Sequence, residues 1–218
     1  MRLPFVPPLR HAILVSTCLL AGTAIVMAQP PEPPGPFVID LRGAYSSVGR
    51  SDALASPRGL TSGELPKTVK GLDVGVHGYP VRGRVTLGVG ASLLMIGGTQ
   101  AGGTDETTGA ALTEGEFRVR GLMPQLSLNF GSSRGWSYLG AGLGLAQLKV
   151  GRAESDLSYS PSALTLNIGG GARWFIREHM AFTFDGRFYR IGGKPLDGDY
   201  LGHPVTSMFV LSAGLSFK

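Results

Sequence analysis

Residues 85–93 read Val-Thr-Leu-Gly-Val-Gly-Ala-Ser-Leu, with apolar side chains at the odd positions and Thr, Gly, Gly and Ser at the even ones. A period of two marks a strand whose two faces meet different surroundings. Outward from this stretch the same rhythm recurs, giving eight segments between Phe37 and Lys218. In the first, Phe37, Ile39 and Leu41 oppose Asp40 and Arg42; in the second, Leu72, Val74 and Val76 oppose Asp73, Gly75 and His77. The fifth sets Leu139, Ala141, Leu143 and Leu145 against Gly140, Gly142 and Gly144. No segment sustains a helical period, so a βαβ fold is excluded.

The connections alternate as well. Residues 80–83, 131–135 and 176–179 are short links, whereas 46–69, 97–115, 151–161 and 192–204 are long and polar. An even set of strands joined in this way predicts an all-β fold, an eight-stranded antiparallel up-and-down transmembrane β-barrel over residues 37–218. With the N-terminus in the periplasm, every short turn falls on the periplasmic side and every long loop outside. A soluble lipocalin-type barrel shares the period but turns its apolar face inward and carries Lys and Glu outside. Here the second face is mostly Gly, Ser, Thr and Asn, poor clothing for water and good filling for a lumen. Charged residues are only 16% of the chain, below the ~25% usual in soluble proteins, and the 34 glycines suit a crowded interior. Phe37, Phe130, Trp136, Trp174, Phe182 and Phe217, near segment ends, are expected to form interfacial girdles.

Residues 1–28 read as a signal peptide. Arg2 and Arg10 precede the apolar run Ala12 to Met27, and Val26 and Ala28 supply a small-residue cleavage pattern. The run is shorter than the ~20 residues a transmembrane helix needs. Residues 29–36 form a Pro-rich periplasmic segment. Cys18, the only cysteine, lies inside the apolar run, so the processed chain has no thiol for a disulfide or for nucleophilic chemistry. Net charge is +5, and removing Arg2 and Arg10 leaves +3, which does not argue for nucleic acid.

The eight two-faced segments, the Gly140-Ala141-Gly142-Leu143-Gly144 strand and the alternating Phe209, Leu211, Ala213, Leu215 and Phe217 resemble the small OmpA- and OmpX-like, porin-like outer-membrane β-barrel families. The resemblance covers Phe37 to Lys218. It implies bacterial outer-membrane localisation after signal-peptide cleavage, a monomer, contact with outer-membrane lipid and lipopolysaccharide, and delivery to the outer-membrane assembly machinery through the C-terminal strand. Lys218 departs from the aromatic ending of that signal.

Chemistry-bearing candidates are few. The glycine clusters lack the helix N-terminus a phosphate loop requires. His77, His179 and His203 are too scattered for a metal site. His203 and Ser207, near Asp199, are the only plausible pair for a lipid-modifying enzyme, and loop polarity explains them more simply. No catalytic residue, metal or cofactor is expected. Asp40, Arg42, Asp73, Arg173, Asp185 and Arg187 all fall on the polar parity and are expected to form a lumen charge network, with Arg173 reaching diagonally to Asp185. The network reads as a structural plug or, alternatively, as the constriction of a passive small-solute pore; the narrow interior of eight strands favours the plug. Lys70, Lys149 and Arg190 take the lipid-facing parity beside long loops and are expected to face lipopolysaccharide, with Arg118 and Arg120 joining them if no bulge intervenes. Snorkelling, or pairing with Glu116 and Asp197, is the simpler account.

Overall fold

The computed structural model describes residues 34–104, 109, 111–152, 159–196 and 200–218. The expected signal peptide and residues 29–33 of the Pro-rich segment lie outside the described residues. Eight strands close into a barrel: β1 (Phe37–Val48), β2 (Thr68–Val81), β3 (Thr86–Gln100), β4 (Gly115–Ser132), β5 (Gly135–Arg152), β6 (Ala163–Phe175), β7 (Met180–Ile191) and β8 (Thr206–Phe217). Each pairs antiparallel with its sequence neighbours, and the seam is the β1–β8 ladder, from Ile39 opposite Phe217 to Val48 opposite Met208. Closure removes the free edges that lipid cannot satisfy.

Side-chain parity places the aliphatic set outside. Leu126, Leu139, Leu164 and Ile168 are about 60% exposed, so the outer face of the barrel is an aliphatic surface. Pro80 has no N–H to give the ladder, and the β2–β3 register shifts by one between Gly78 and Val81.

The interior differs from expectation in its outer part. There the inward positions are apolar: Leu94, Ile96, Phe117, Val119, Leu148, Met208 and Val210 are buried in one cluster. Runs such as Leu93-Leu94-Met95-Ile96 are apolar on both faces, so alternation fades there. The cause is the first long connection, which is folded over the barrel mouth. Helix α1 (Asp52–Ala55) and the 3-10 turns Ser56–Arg58 and Ser62–Glu64 place Leu54, Leu60 and Leu65 in that same cluster. Gly59 adopts φ 63°, a left-handed conformation that favours glycine and ends the first 3-10 turn. Arg58 fastens the cap by donating to the carbonyls of Leu54 (2.8 Å), Val150 (2.9 Å) and Gly202 (2.6 Å). The apolar interior thus meets leucines, and water has no face to wet.

Candidate functional site

Below the apolar layer lies a buried polar one, built by inward positions of six strands. β1 supplies Asp40 and Arg42, β2 Asp73 and His77, β5 Tyr138, β6 Asn167 and Arg173, β7 Asp185 and Arg187, and β8 Ser212 and Ser216. All six charged groups are at most 2% exposed. Arg173 grips Asp40 with two nitrogens, Nε to Oδ1 at 2.9 Å and Nη2 to Oδ2 at 2.6 Å. Arg187 does the same to Asp185, both bonds at 3.0 Å, and its Nη1 donates to Asn167 Oδ1 at 3.0 Å. Arg42 is the link: Nη2 lies 2.8 Å from Asp73 Oδ2, while Nη1 donates to the Tyr138 hydroxyl at 3.1 Å and sits 3.5 Å from Asp40. Tyr138 passes the chain on, donating to Asp185 Oδ2 at 2.7 Å. Ser216 donates to Asp40, and Ser212 to Asp73 at 3.2 Å.

Three arginines therefore meet three aspartates, and their formal charges balance. Two-pronged Arg–carboxylate bonds are the geometry that best offsets desolvation. Glycine makes room for them. A Cβ on Gly75 would lie 3.1 Å from Asp40 Oδ2, and one on Gly171 would strike the Tyr138 hydroxyl at 2.7 Å.

Two local expectations are corrected. Arg173 does face Thr183 in the β6–β7 ladder, but its guanidinium reaches Asp40 on β1 instead of Asp185. Inward side chains of a narrow barrel meet across the lumen, which flat-sheet diagonals ignore. Trp136 belongs to no girdle: it is 3% exposed, on the inward parity of β5, stacked on Phe175 at 5.1 Å and edge-on to Tyr79 at 5.8 Å. This aromatic group closes the end of the barrel that bears the short turns, and Lys218 folds under it with Nζ 4.1 Å from the Phe175 ring centre. Tyr138 escaped the sequence reading, although an aromatic on the Gly140–Gly142 parity was the available signal.

The histidines separate. His77 lies in the lumen, Nδ1 3.6 Å from Asp40 and Nε2 3.4 Å from Gln125 Oε1. His179 is exposed on the short turn between β6 and β7, and His203 is buried in the last long loop against the Pro204 carbonyl at 2.8 Å. Ser207 points to the outer face and shares no hydrogen bond with His203 among the described residues; Asp199 lies outside them. No group of three or more His, Cys, Asp or Glu among the described residues is arranged to hold a metal.

On the outer surface the ladders align Tyr45, Lys70, Gly97, Arg118 and Lys149 in one row across β1 to β5. No register shift intervenes in β4 before Leu122, so Arg118 and Arg120 point outward, both exposed. Arg190 stands apart on β7, between Leu166 and Ser207. Glu116, 3% exposed, pairs with Arg118 and lies 3.3 Å from Lys149; Asp197 is outside the described residues.

No family model matches the sequence, and no curated protein matches it. Among solved structures, neisserial surface protein A shares 17% identity, with 84% of this chain and 96% of that one covered and a TM-score of 0.52. OprG of Pseudomonas aeruginosa follows at 13% identity, 86% and 97% coverage and a TM-score of 0.46. Ail of Yersinia pestis, solved with the heparin analogue sucrose octasulfate, gives 14% identity, 85% and 99% coverage and 0.43. The likeness to the neisserial protein supports the fold, a closed eight-stranded antiparallel barrel.

Proposed function

We propose that the chain is an integral outer-membrane protein without catalytic activity, whose lumen is a structural plug and whose contribution is to envelope structure and to contacts made at the outer surface. The observation that carries this reading is that buried side chains occupy the interior at three successive levels. An apolar cap lies over a layer of paired arginines and aspartates, which lies over an aromatic floor. Ion passage would require parting side chains that are bonded to each other, at a cost of several kcal/mol per separated pair. The exposed aliphatic belt and the closed ladder support placement in a bilayer. Outward Phe209, Leu211, Ala213, Leu215 and Phe217 on β8 suit recognition by the assembly machinery.

The pore is the alternative with a distinct outcome. Purified full-length protein in planar bilayers is expected to show no conductance steps in 1 M KCl at moderate voltage. Regular, reproducible steps would replace the plug with a channel whose constriction is the Arg42–Asp73 layer. Hydrolysis or acyl transfer on lipid A by the same preparation would overturn the non-catalytic part.

A further inference from the structure

The basic row on β2–β5 is unlike the rest of the outer surface. Lys70, Arg118 and Lys149 lie in one row, and Arg120 lies two residues deeper on β4. The single carboxylate among them, Glu116, is buried and serves Arg118 and Lys149. Lys70 and Arg120 have no carboxylate partner among the described residues. Arg120 is held, not waving. Its Nε donates to Gln147 at 2.8 Å, and its guanidinium lies 3.9 Å from the centre of the Tyr159 ring.

Between Lys70 and Arg118 the row is interrupted by Gly97, where a Cβ would meet the Arg118 side chain at 2.8 Å. The notch opens into a surface groove of about 530 Å³, lined by Lys70, Met95, Gly97, Arg118, Arg120 and Tyr159. Its height follows from strand geometry. Phe130, in the lower aromatic level of β4, lies twelve residues below Arg118. At ~3.3 Å per residue and a tilt of ~40°, that separation is about 30 Å of vertical rise, just above an apolar band ~25 Å tall. On that rise Arg120 falls on the band's upper edge and Arg118 just above it.

We propose that this groove is a binding site for one phosphorylated glycolipid of the outer leaflet. Phosphate oxygens occupy the notch between Lys70 and Arg118 and the glycolipid's acyl chains descend over Met95. The placement rests on the outer-membrane reading, since the groove faces lipid only if the barrel spans. Charge complementarity selects phosphate: Lys70, Arg118 and Arg120 line the groove, and the one carboxylate beside them, Glu116, is shared between Arg118 and Lys149. Tyr159 closes the loop side by holding Arg120 over the rim. Arg190, between Leu166 and Ser207 on β7, does not line this groove and takes no part.

The test uses full-length protein folded in detergent, with bis-phosphorylated lipid A as the probe and native mass spectrometry as the readout. Wild type is expected to retain one lipid A, and dephosphorylated lipid A to bind about tenfold more weakly. Lys70→Gln/Arg118→Gln/Arg120→Gln, which removes the three cations lining the groove, should lose the lipid. Gly97→Leu, which keeps every charge but fills the notch, should weaken binding to a similar degree, whereas Arg190→Gln should leave it unchanged. Equal binding of dephosphorylated lipid, an Arg190→Gln loss as large as the triple variant's, or no loss with Gly97→Leu would each overturn the site. Competition by inorganic pyrophosphate at the same concentration would overturn the lipid as occupant and leave a plain anion site. Boiled and unboiled gel migration of every variant reports folding separately, so a barrel that never forms is distinguished from a barrel without this site. Should the triple variant fail to fold, Lys70→Gln and Gly97→Leu carry the comparison.

Discussion

Asp40 is the residue on which the lumen converges: Arg173 binds it with two nitrogens, Ser216 donates to it, and Arg42 and His77 stand within 3.6 Å. Removing one partner of a buried pair leaves an uncompensated charge, worth roughly 3–5 kcal/mol. Asp40→Ala and Arg173→Ala should each lower the urea midpoint of unfolding substantially, and the double variant should cost clearly less than their sum. Arg173→Ala with Asp185→Ala should come much closer to additivity, because Asp185 belongs to Arg187 and Tyr138. Coupling of equal size in both pairs would place Arg173 in a shared network instead of on Asp40. The six charged positions were legible from parity alone. Their partners were not, because parity says which side chains enter a lumen and nothing about which meet across it.

At the scale of the element, the strands were readable and the cap was not. Outward residues from Phe37 to Phe217 keep one parity along each strand, although the contrast between the faces fades where the inward positions are also apolar. The segment between β1 and β2 has no period and carries polar residues, so it read as an open loop. Its order comes from three leucines and two polar anchors, Arg58 and Glu64. Glu64 is buried, which alone would raise its pKa. The Thr113 N–H, the Thr61 N–H (2.7 Å) and the Thr61 hydroxyl (3.1 Å) outweigh burial and hold it below the usual carboxylate range. His203 is pushed down from its ordinary value by burial, with Arg58 and Lys194 nearby adding repulsion. Both shifts have the same sign for stability. In each case the unfolded form binds protons more readily, so the cap's stability is present at neutral pH and is lost as pH falls. The His203 contribution should fade below pH ~6.5 and that of Glu64 below ~4.5, their unshifted values. Hydrogen exchange at the Thr113 amide and across residues 52–64 should accelerate in that range while the strand ladders stay protected. Glu64→Gln should open the cap at neutral pH by weakening the three donors' acceptor. Exchange independent of pH down to 4, after correction for intrinsic rates, would remove both groups from the account.

As a whole molecule, the barrel satisfies every strand through its neighbours, and partial structures leave unpaired edges in lipid. Folding should therefore be all-or-none. Purified protein should be β-rich, should need detergent to stay in solution, and should migrate at different positions on a gel when boiled and unboiled. A helical spectrum, or free solubility without detergent, would refute the bilayer placement. The alternation of long and short links was enough to read strand number and sense of closure. The layering of the interior was not, because the apolar outer layer exists only by virtue of a cap that the chain contributes from elsewhere.

The seam between β1 and β8 also makes the chain's starting point arbitrary. Ile39 and Phe217 are ladder partners, and Gly35 lies against the Lys218 side chain, so the two ends of the barrel meet on one rim. A short linker joining residue 218 to residue 35, with new ends cut between Ser133 and Arg134, would keep all eight ladders and reorder their synthesis. Such a circular permutant should reach the same heat-sensitive compact form. Its last-made strand would then be β4, which ends in Leu126, Leu128 and Phe130 on the outer face. If it folds in detergent but fails to insert in cells, geometry is sufficient for the barrel and the order of delivery is what the envelope inspects.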